Sequence, residues 1–415
     1  MLYIGGILLI KRIIPVFLLF ICLALPAQGE GGLKQMRRQT SDFFATVSAL
    51  FLYDTPDHTA RFESVWAQIK NILAQVERAV SLSIADSDIS RFNLLPGGGT
   101  IRISPITAAI VQTAIDVHAL TGGLYDPTVY PLVDLWGFSP RFNANSYQPT
   151  LPYDRTYENG SLPLPDDAHI RALLPLVGLD GISLEERDGS FFLTKHTPSI
   201  VIDGVTIHAQ LDLGGIAKGY ACDLVKALLE DLGYAHGHFV CGDSSMAILS
   251  RPDGAYKLNL GKPRTGSNRD SHFATISVRD RTLSTSSDSR HAYAVDGVRY
   301  CHIIDPLTGY PINMPVGGIQ KGAASITLLS SSAARSDAIT TALCLMHPQE
   351  AVDFIHDHLQ NDSVIITLYT STSDTLEVMH NLRADAFMLS DPSYQPASQM
   401  DDAGNLVYTG SFFTE

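Results

Sequence analysis

Ala209-Gln210-Leu211-Asp212-Leu213-Gly214-Gly215-Ile216-Ala217-Lys218-Gly219, continued by a helix-like stretch to about Leu232 and by β-like runs at 237–241 and 245–249, decides between fold classes. Leu211 and Leu213 alternate with polar neighbours as in a half-buried strand, and Gly214-Gly215 then opens a helix. Alone, this would be one βα unit of a parallel sheet. No second unit succeeds it, because further runs at 256–260, 273–278 and 299–304 come one after another without a helix. A strand at 323–329 feeds a helix from Ala333 to about Met346. Pro348 to Leu359 reads as one more helix, and 363–369 and 374–379 as a closing pair of strands. Strands adjacent in sequence with irregularly placed helices predict an α+β fold. The expectation is one large domain with mixed or antiparallel sheets and flanking helices.

Working outward, residues 61–82 carry Phe62, Val65, Ile69, Ile72, Leu73, Val76 and Val80 at helical spacing. A second helix is predicted from Pro105 to Leu120, stopped by Thr121-Gly122-Gly123. Ile170 to Val177 is a short helix candidate, and 182–184 and 191–193 flank Asp188-Gly189 as a hairpin. Residues 139–165, rich in Pro, Asn, Ser and Tyr, read as a surface excursion. The last stretch, 391–415, is acidic, polar and without periodicity, and is expected to be a loosely held tail. The domain proper then spans about 30–390.

The chain has 415 residues, 45% of them hydrophobic and 17% charged, enough to bury a large core. Lys+Arg 29 against Asp+Glu 43 gives a net charge of −14, which argues against broad nucleic-acid binding. Residues 1–29 stand apart. Lys11 and Arg12 precede an apolar run from Ile13 to Leu25, followed by Pro26-Ala27-Gln28-Gly29, the layout of a secretory signal too short for a comfortable span. Cleavage near Ala27 or Gly29 is expected. Lipidation of Cys22 would want a small residue where Ile21 stands. The remaining cysteines, 222, 241, 301 and 344, lie in apolar neighbourhoods outside any Cys-x-x-Cys pair and read as buried free thiols.

Four segments could carry chemistry. The Gly214-Gly215 turn with Lys218 offers amides and a positive charge at a helix N-terminus, where phosphate binds, yet taken alone such a turn is more often structural. His302, near the end of a strand running into Asp305-Pro306-Leu307-Thr308-Gly309, is either a general base or a core histidine. Asp337 and Thr341, at i and i+4, leave one helix face and offer hard oxygen ligands suited to Mg²⁺, or else serve as a cap and a core residue. Gly122-Gly123-Leu124-Tyr125-Asp126-Pro127-Thr128 and Leu135-Trp136-Gly137-Phe138 give an aromatic cluster that can grip a ring or fill a core.

Jointly, in this order, these segments resemble the ApbE-type flavin transferases, the FAD:protein FMN transferases. Ser87-Asp88-Ile89-Ser90-Arg91-Phe92-Asn93 and His302-Ile303-Ile304-Asp305-Pro306 belong to the same match, which covers about residues 40 to 385. The resemblance implies cleavage of FAD at its pyrophosphate, release of AMP and attachment of FMN to a threonine of an exported target protein. Some members, spirochaetal ones among them, instead hydrolyse FAD to FMN and AMP. It implies Mg²⁺ held by Asp337, Thr341 and the Ala217 carbonyl, and FAD contacts from Leu124, Tyr125, Asp126, Asp212, Lys218 and Ile303. His302 is implied as the base. It also implies a periplasmic or otherwise extracytoplasmic location, with anchoring to the inner membrane through the N-terminus as a variant. The chain departs from the family pattern at Ser83, at Gly242-Asp243, at Ser287 and at Ser336. Against this enzyme stand a non-catalytic exported FAD-binding protein and a sugar- or peptide-binding protein of the same compartment.

Overall fold

The computed structural model describes residues 32–139, 164–263, 271–289, 291–296, 298–312, 322–369, 376–401 and 405–410. The signal-like segment and all but the edges of the 139–165 excursion lie outside these. One nine-stranded sheet organises the rest. Its strands are β1 (Lys34–Thr40), β2 (Ser48–Asp54), β3 (Gly237–Cys241), β4 (Ser245–Ile248), β5 (Arg281–Ser287), β6 (Gly322–Ser330), β7 (Ser363–Tyr369), β8 (Leu376–His380) and β9 (Tyr394–Pro396). They lie side by side in chain order. Every neighbouring pair is antiparallel except β8 and β9, which run parallel. The expected α+β architecture with a mixed, mainly antiparallel sheet is present.

Both faces of this sheet are covered, which explains why its inner strands are buried at successive positions rather than at alternate ones. In β3, Phe239 and Cys241 join a core shared with helices α1 (Thr59–Val80), α2 (Pro105–Leu120), α3 (Gly214–Asp231) and α4 (Ala333–Leu343). Val240, one residue over, joins a second core under a three-stranded sheet of Tyr256–Gly261, His272–Val278 and Phe387–Leu389. A third cluster packs Tyr130, Trp136, Ile170 and Leu176 against Tyr300 and Ile304. Helix ends obey the local sequence. Ser104 accepts from Thr107 N before Pro105, and Ser332 accepts from Arg335 N at the start of α4. The hairpin Ile182–Arg187 with Ser190–Lys195 turns on Asp188 (φ 49°) and Gly189 (φ 69°), the left-handed pair that a tight two-residue turn requires.

Three expectations need correction. Residues 209–213 are not a strand: only Gln210 makes a bridge, to Val129. Instead Asn93 substitutes for a strand partner, its Nδ2 donating to Leu211 O (2.9 Å) and its Oδ1 accepting from Leu211 N (2.8 Å). Asp212 N donates to Pro127 O (2.9 Å), so the backbone is satisfied without a ladder. The strand before His302 ends at Cys301. The terminal stretch is not loose over its described residues: β9 extends the main sheet, Ser398–Met400 pairs with Leu406–Tyr408, and Tyr394 and Leu406 are buried.

Cys222, Cys241, Cys301 and Cys344 are all buried thiols outside any disulfide. Cys222 and Cys241 share a thiol hydrogen bond between α3 and β3, and Ser48 Oγ lies 3.7 Å from Cys241 Sγ. Alkylation of the denatured, unreduced protein is expected to modify all four thiols. A bridged pair in the mass spectrum would contradict this. Among the described residues no helix is long and apolar enough to cross a membrane.

Candidate active site

The site is built where α3 crosses α4. The crossing needs a glycine: a Cβ on Gly219 would stand 2.3 Å from Ala333 O and 2.8 Å from Ala334 N, so the two backbones touch. Carboxylates lock the crossing from both sides. Asp223 of α3 accepts from Ala333 N (2.6 Å), Ala334 N (3.0 Å) and Ser332 Oγ (2.8 Å), while Asp337 Oδ2 of α4 accepts from Gly219 N (3.2 Å). Gly219→Ala is therefore expected to destabilise the protein by about 1–3 kcal/mol or more, since backbone rather than a flexible side chain must yield. Thermal unfolding of the variant measures it, and an unchanged midpoint would refute the backbone contact.

Asp337 is only 4% exposed and is not a helix cap, a role Ser332 fills. Burial raises its carboxyl to about 6, against the opposing pull of the Lys218 charge and of hydrogen bonds from Gly219 N and Ser245. Thr341, one turn on, bonds its own helix: Oγ1 donates to Asp337 O (3.2 Å) and lies 3.3 Å from Ser286 Oγ. Ser286 also meets Thr340 Oγ1 at 2.8 Å, so β5 presents a hydroxyl to both threonines. Ser336, at a family departure, bonds Ser332 O (2.9 Å) and Ser330 Oγ (2.6 Å).

The glycine pair is inside α3, as its first two residues, and not a loop before it. Both are exposed, but Gly214 N is taken by Asp212 and the Ile216 and Ala217 amides by Leu213 O, which leaves the Gly215 amide to face a ligand. Asp212 Oδ1 accepts from Gly214 N (2.8 Å), and burial raises its carboxyl. Lys218 Nζ donates to Gly214 O (3.0 Å), four residues back, which holds its charge beside that turn. Ala217 lies two residues before Gly219 on the same turn and is buried.

The 124–126 stretch meets this turn from outside. Tyr125 is 4% exposed, its ring would be 3.7 Å from a Cβ on Gly215, and its Oη makes no hydrogen bond to any described residue. Asp126 is occupied by the fold: its Oδ1 accepts from Thr128 N (2.8 Å) and Oδ2 from Leu179 N (3.0 Å), with His118 Nδ1 3.5 Å away. Its side chain is thus spent on shaping the loop, and Leu124 is half-buried beside it. The Leu135–Phe138 cluster resolves as core. Trp136 is fully buried, donates from Nε1 to Gly309 O (2.8 Å) and stacks on Tyr300 at 5.6 Å.

His302 comes directly after the Val298–Cys301 strand, half-buried, with its ring 5.4 Å from that of His291 in an edge-on arrangement. Ile303 is buried, and its carbonyl accepts from Ile312 N (3.0 Å). The turn behind it is stiff: Asp305 accepts from Leu307 N (2.8 Å) and Thr308 Oγ1 (2.9 Å), and Gly309 N donates back to Asp305 O (2.8 Å). Gly309 sits at φ 79° against Ile170, a position closed to a side chain. Sequence reading missed Ser245, Ser286 and His291.

These residues fit a divalent cation of the Mg²⁺ kind. Among the described residues no group of three His, Cys, Asp or Glu side chains gathers as a metal cage. The donors at the crossing are one buried carboxylate, one hydroxyl and backbone oxygen, a hard and incomplete set of the type completed by substrate phosphates and water. A family model described as the ApbE family matches residues 44–366. The chain belongs to the ApbE family. A relative from Haemophilus influenzae named FAD:protein FMN transferase is 30% identical over 71% of this chain and 76% of its own length. One of the same name from Vibrio cholerae is 29% identical over 68% and 74%. The solved flavin transferase ApbE from Vibrio cholerae superposes with a TM-score of 0.65 at 25% identity, covering 84% of this chain and 97% of that one. The apo flavinyl transferase ApbE of Pseudomonas stutzeri, at 23% identity and a TM-score of 0.63, shares the fold.

Proposed function

We propose that this ApbE-family chain is an Mg²⁺-dependent FAD:protein FMN transferase. One observation carries the reading: a buried, pKa-raised carboxylate, Asp337, shares an oxygen-lined crossing with an exposed helix N-terminus and Lys218. That arrangement suits a polyphosphate bound together with a cation. When bound, the metal held by Asp337, Thr341 and the Ala217 carbonyl supplies charge neutralisation at the pyrophosphate. The Gly215 amide and Lys218 hold the remaining phosphate charge, and the 124–126 loop, Asp212 and the Ile303 backbone contact FAD around it. His302 takes the proton from the acceptor threonine hydroxyl as its oxygen bonds the FMN-side phosphorus. The bridging P–O bond breaks, and AMP leaves. Water in the acceptor's place gives FMN and AMP.

Purified protein incubated with FAD and Mg²⁺ should release AMP, and an exported protein carrying the acceptor threonine should gain covalent flavin fluorescence. FAD binding without AMP, with or without acceptor, would leave a non-catalytic flavin carrier instead. Residues 1–29 support an extracytoplasmic setting, with the mature chain starting after about Ala27 to Gly29. N-terminal sequencing of native protein tests this: a chain still beginning at Met1 refutes it, and lipid on Cys22 makes the protein membrane-anchored.

A further inference from the structure

We infer that the Tyr125 hydroxyl donates a hydrogen bond to a phosphate oxygen of a metal-bound pyrophosphate. This rests on the reading of the helix crossing as the FAD site and goes beyond it by giving one atom a task. The phenol is buried, yet Oη has no hydrogen-bond partner among the described residues, an arrangement a folded protein rarely tolerates unless a bound group completes it. Its tip points into the site. A Cβ on Gly215 would lie 3.7 Å from Tyr125 Oη and 4.0 Å from Thr341 Oγ1, so the phenol, the threonine hydroxyl and the open first turn of α3 converge.

The nearby carboxylates do not take the proton. Asp337 Oδ2 is held by Gly219 N, Asp212 Oδ1 by Gly214 N, and Asp126 by Thr128 and Leu179. Burial first, and then the charges of Asp212, Asp337 and Asp126, hold the phenol well above its ordinary value, so it remains a donor at neutral pH. A donor here wants an acceptor oxygen. An apolar group would leave the hydroxyl unpaired, and a lone carboxylate would meet three others. A phosphate accompanied by a divalent cation, with Lys218 and the Gly215 amide beside it, meets the electrostatic requirement.

Tyr125→Phe removes only this oxygen. ADP is the probe, because it carries a pyrophosphate and cannot donate FMN. Calorimetry with ADP and Mg²⁺ is expected to show affinity about ten- to a hundredfold weaker than the parent's, while binding of Mg²⁺ alone is unchanged. Without nucleotide or metal, the variant should unfold at a temperature equal to the parent's or about 1–3 °C higher, since an unsatisfied buried hydroxyl has gone. ADP affinity within twofold of the parent's overturns the assignment. So does an equal loss for Mg²⁺ alone, which would give the hydroxyl to the metal's water shell. A less stable unliganded variant also overturns it, because the phenol would then be bonded within the fold. If the parent itself binds neither ADP with Mg²⁺ nor FAD, the functional reading fails first, and that result does not involve the variant.

Discussion

The Asp337→Asn protein is expected to release AMP from FAD on the order of a thousandfold more slowly than the parent, and to be more stable than the parent when metal and flavin are absent. Both effects come from one charge. Burial raises the Asp337 carboxyl from 3.8 to about 6, so at pH 7 the fold carries an ionised group that it disfavours. The gap corresponds to about 3 kcal/mol at most. The sign comes from proton counting. Between 3.8 and about 6 the folded protein holds a proton that the unfolded chain has released, so this carboxylate's contribution to stability falls as pH rises through that window. Its full cost is present above about 6. Asparagine does not titrate there, and its oxygen can still accept from Gly219 N. The thermal midpoint of Asp337→Asn should therefore exceed the parent's at pH 7, and the two should approach each other near pH 4. Adding Mg²⁺ with ADP should raise the parent and leave the variant unmoved. Parent-like AMP release by the variant without added metal would remove Asp337 from the metal site, and a destabilised variant would show that the carboxylate's hydrogen bonds outweigh its desolvation.

Much of this is legible in the sequence where local and global signals agree. Helices α1 and α2 are evident from apolar spacing, and Pro105 and Ser104 mark where α2 begins. The Asp337–Thr341 pair is visible as an i, i+4 couple, and the packing removes the capping alternative by giving that task to Ser332. Strand β5, Arg-Thr-Leu-Ser-Thr-Ser-Ser, escapes a sequence reading because hydroxyls hide its burial. Ser284 is fully buried and donates to Ala333 O (3.2 Å), and Ser286 meets Thr340, so the strand packs toward α4 by hydrogen bonds, with Leu283 its one buried apolar side chain, on the second core. Residues 209–213 mislead in the opposite direction. Their alternation is real, but the partner is the Asn93 side chain, 118 positions away in sequence, which no local pattern reveals. The tail reads as loose because its strands are three residues long and one of them, β9, contains Pro396 at a sheet edge. The orphan Tyr125 hydroxyl is a property of packing alone.

His302→Ala should keep FAD affinity near the parent's and lose turnover by about 10²–10⁴-fold, the range a positioned general base contributes. The bonds that close the turn after His302 run between other residues. Asp305, Thr308 and Gly309 close that turn among themselves, and Ile304 pairs with Pro311 without the imidazole. Truncation should therefore spare the turn and the Ile303 backbone proposed to contact FAD. The variant loses a group able to accept the hydroxyl proton as the new P–O bond forms, while the metal and Lys218, acting on charge, remain. The loss should consequently fall on kcat, with KM for FAD little changed. The edge-on contact of His302 with His291 sets a control. If His291 merely fills space beside the base, His291→Phe keeps the parent rate. If substituting His302 weakens FAD binding instead and leaves residual turnover at the parent's rate, then His302 positions the flavin, and the proton leaves by another group.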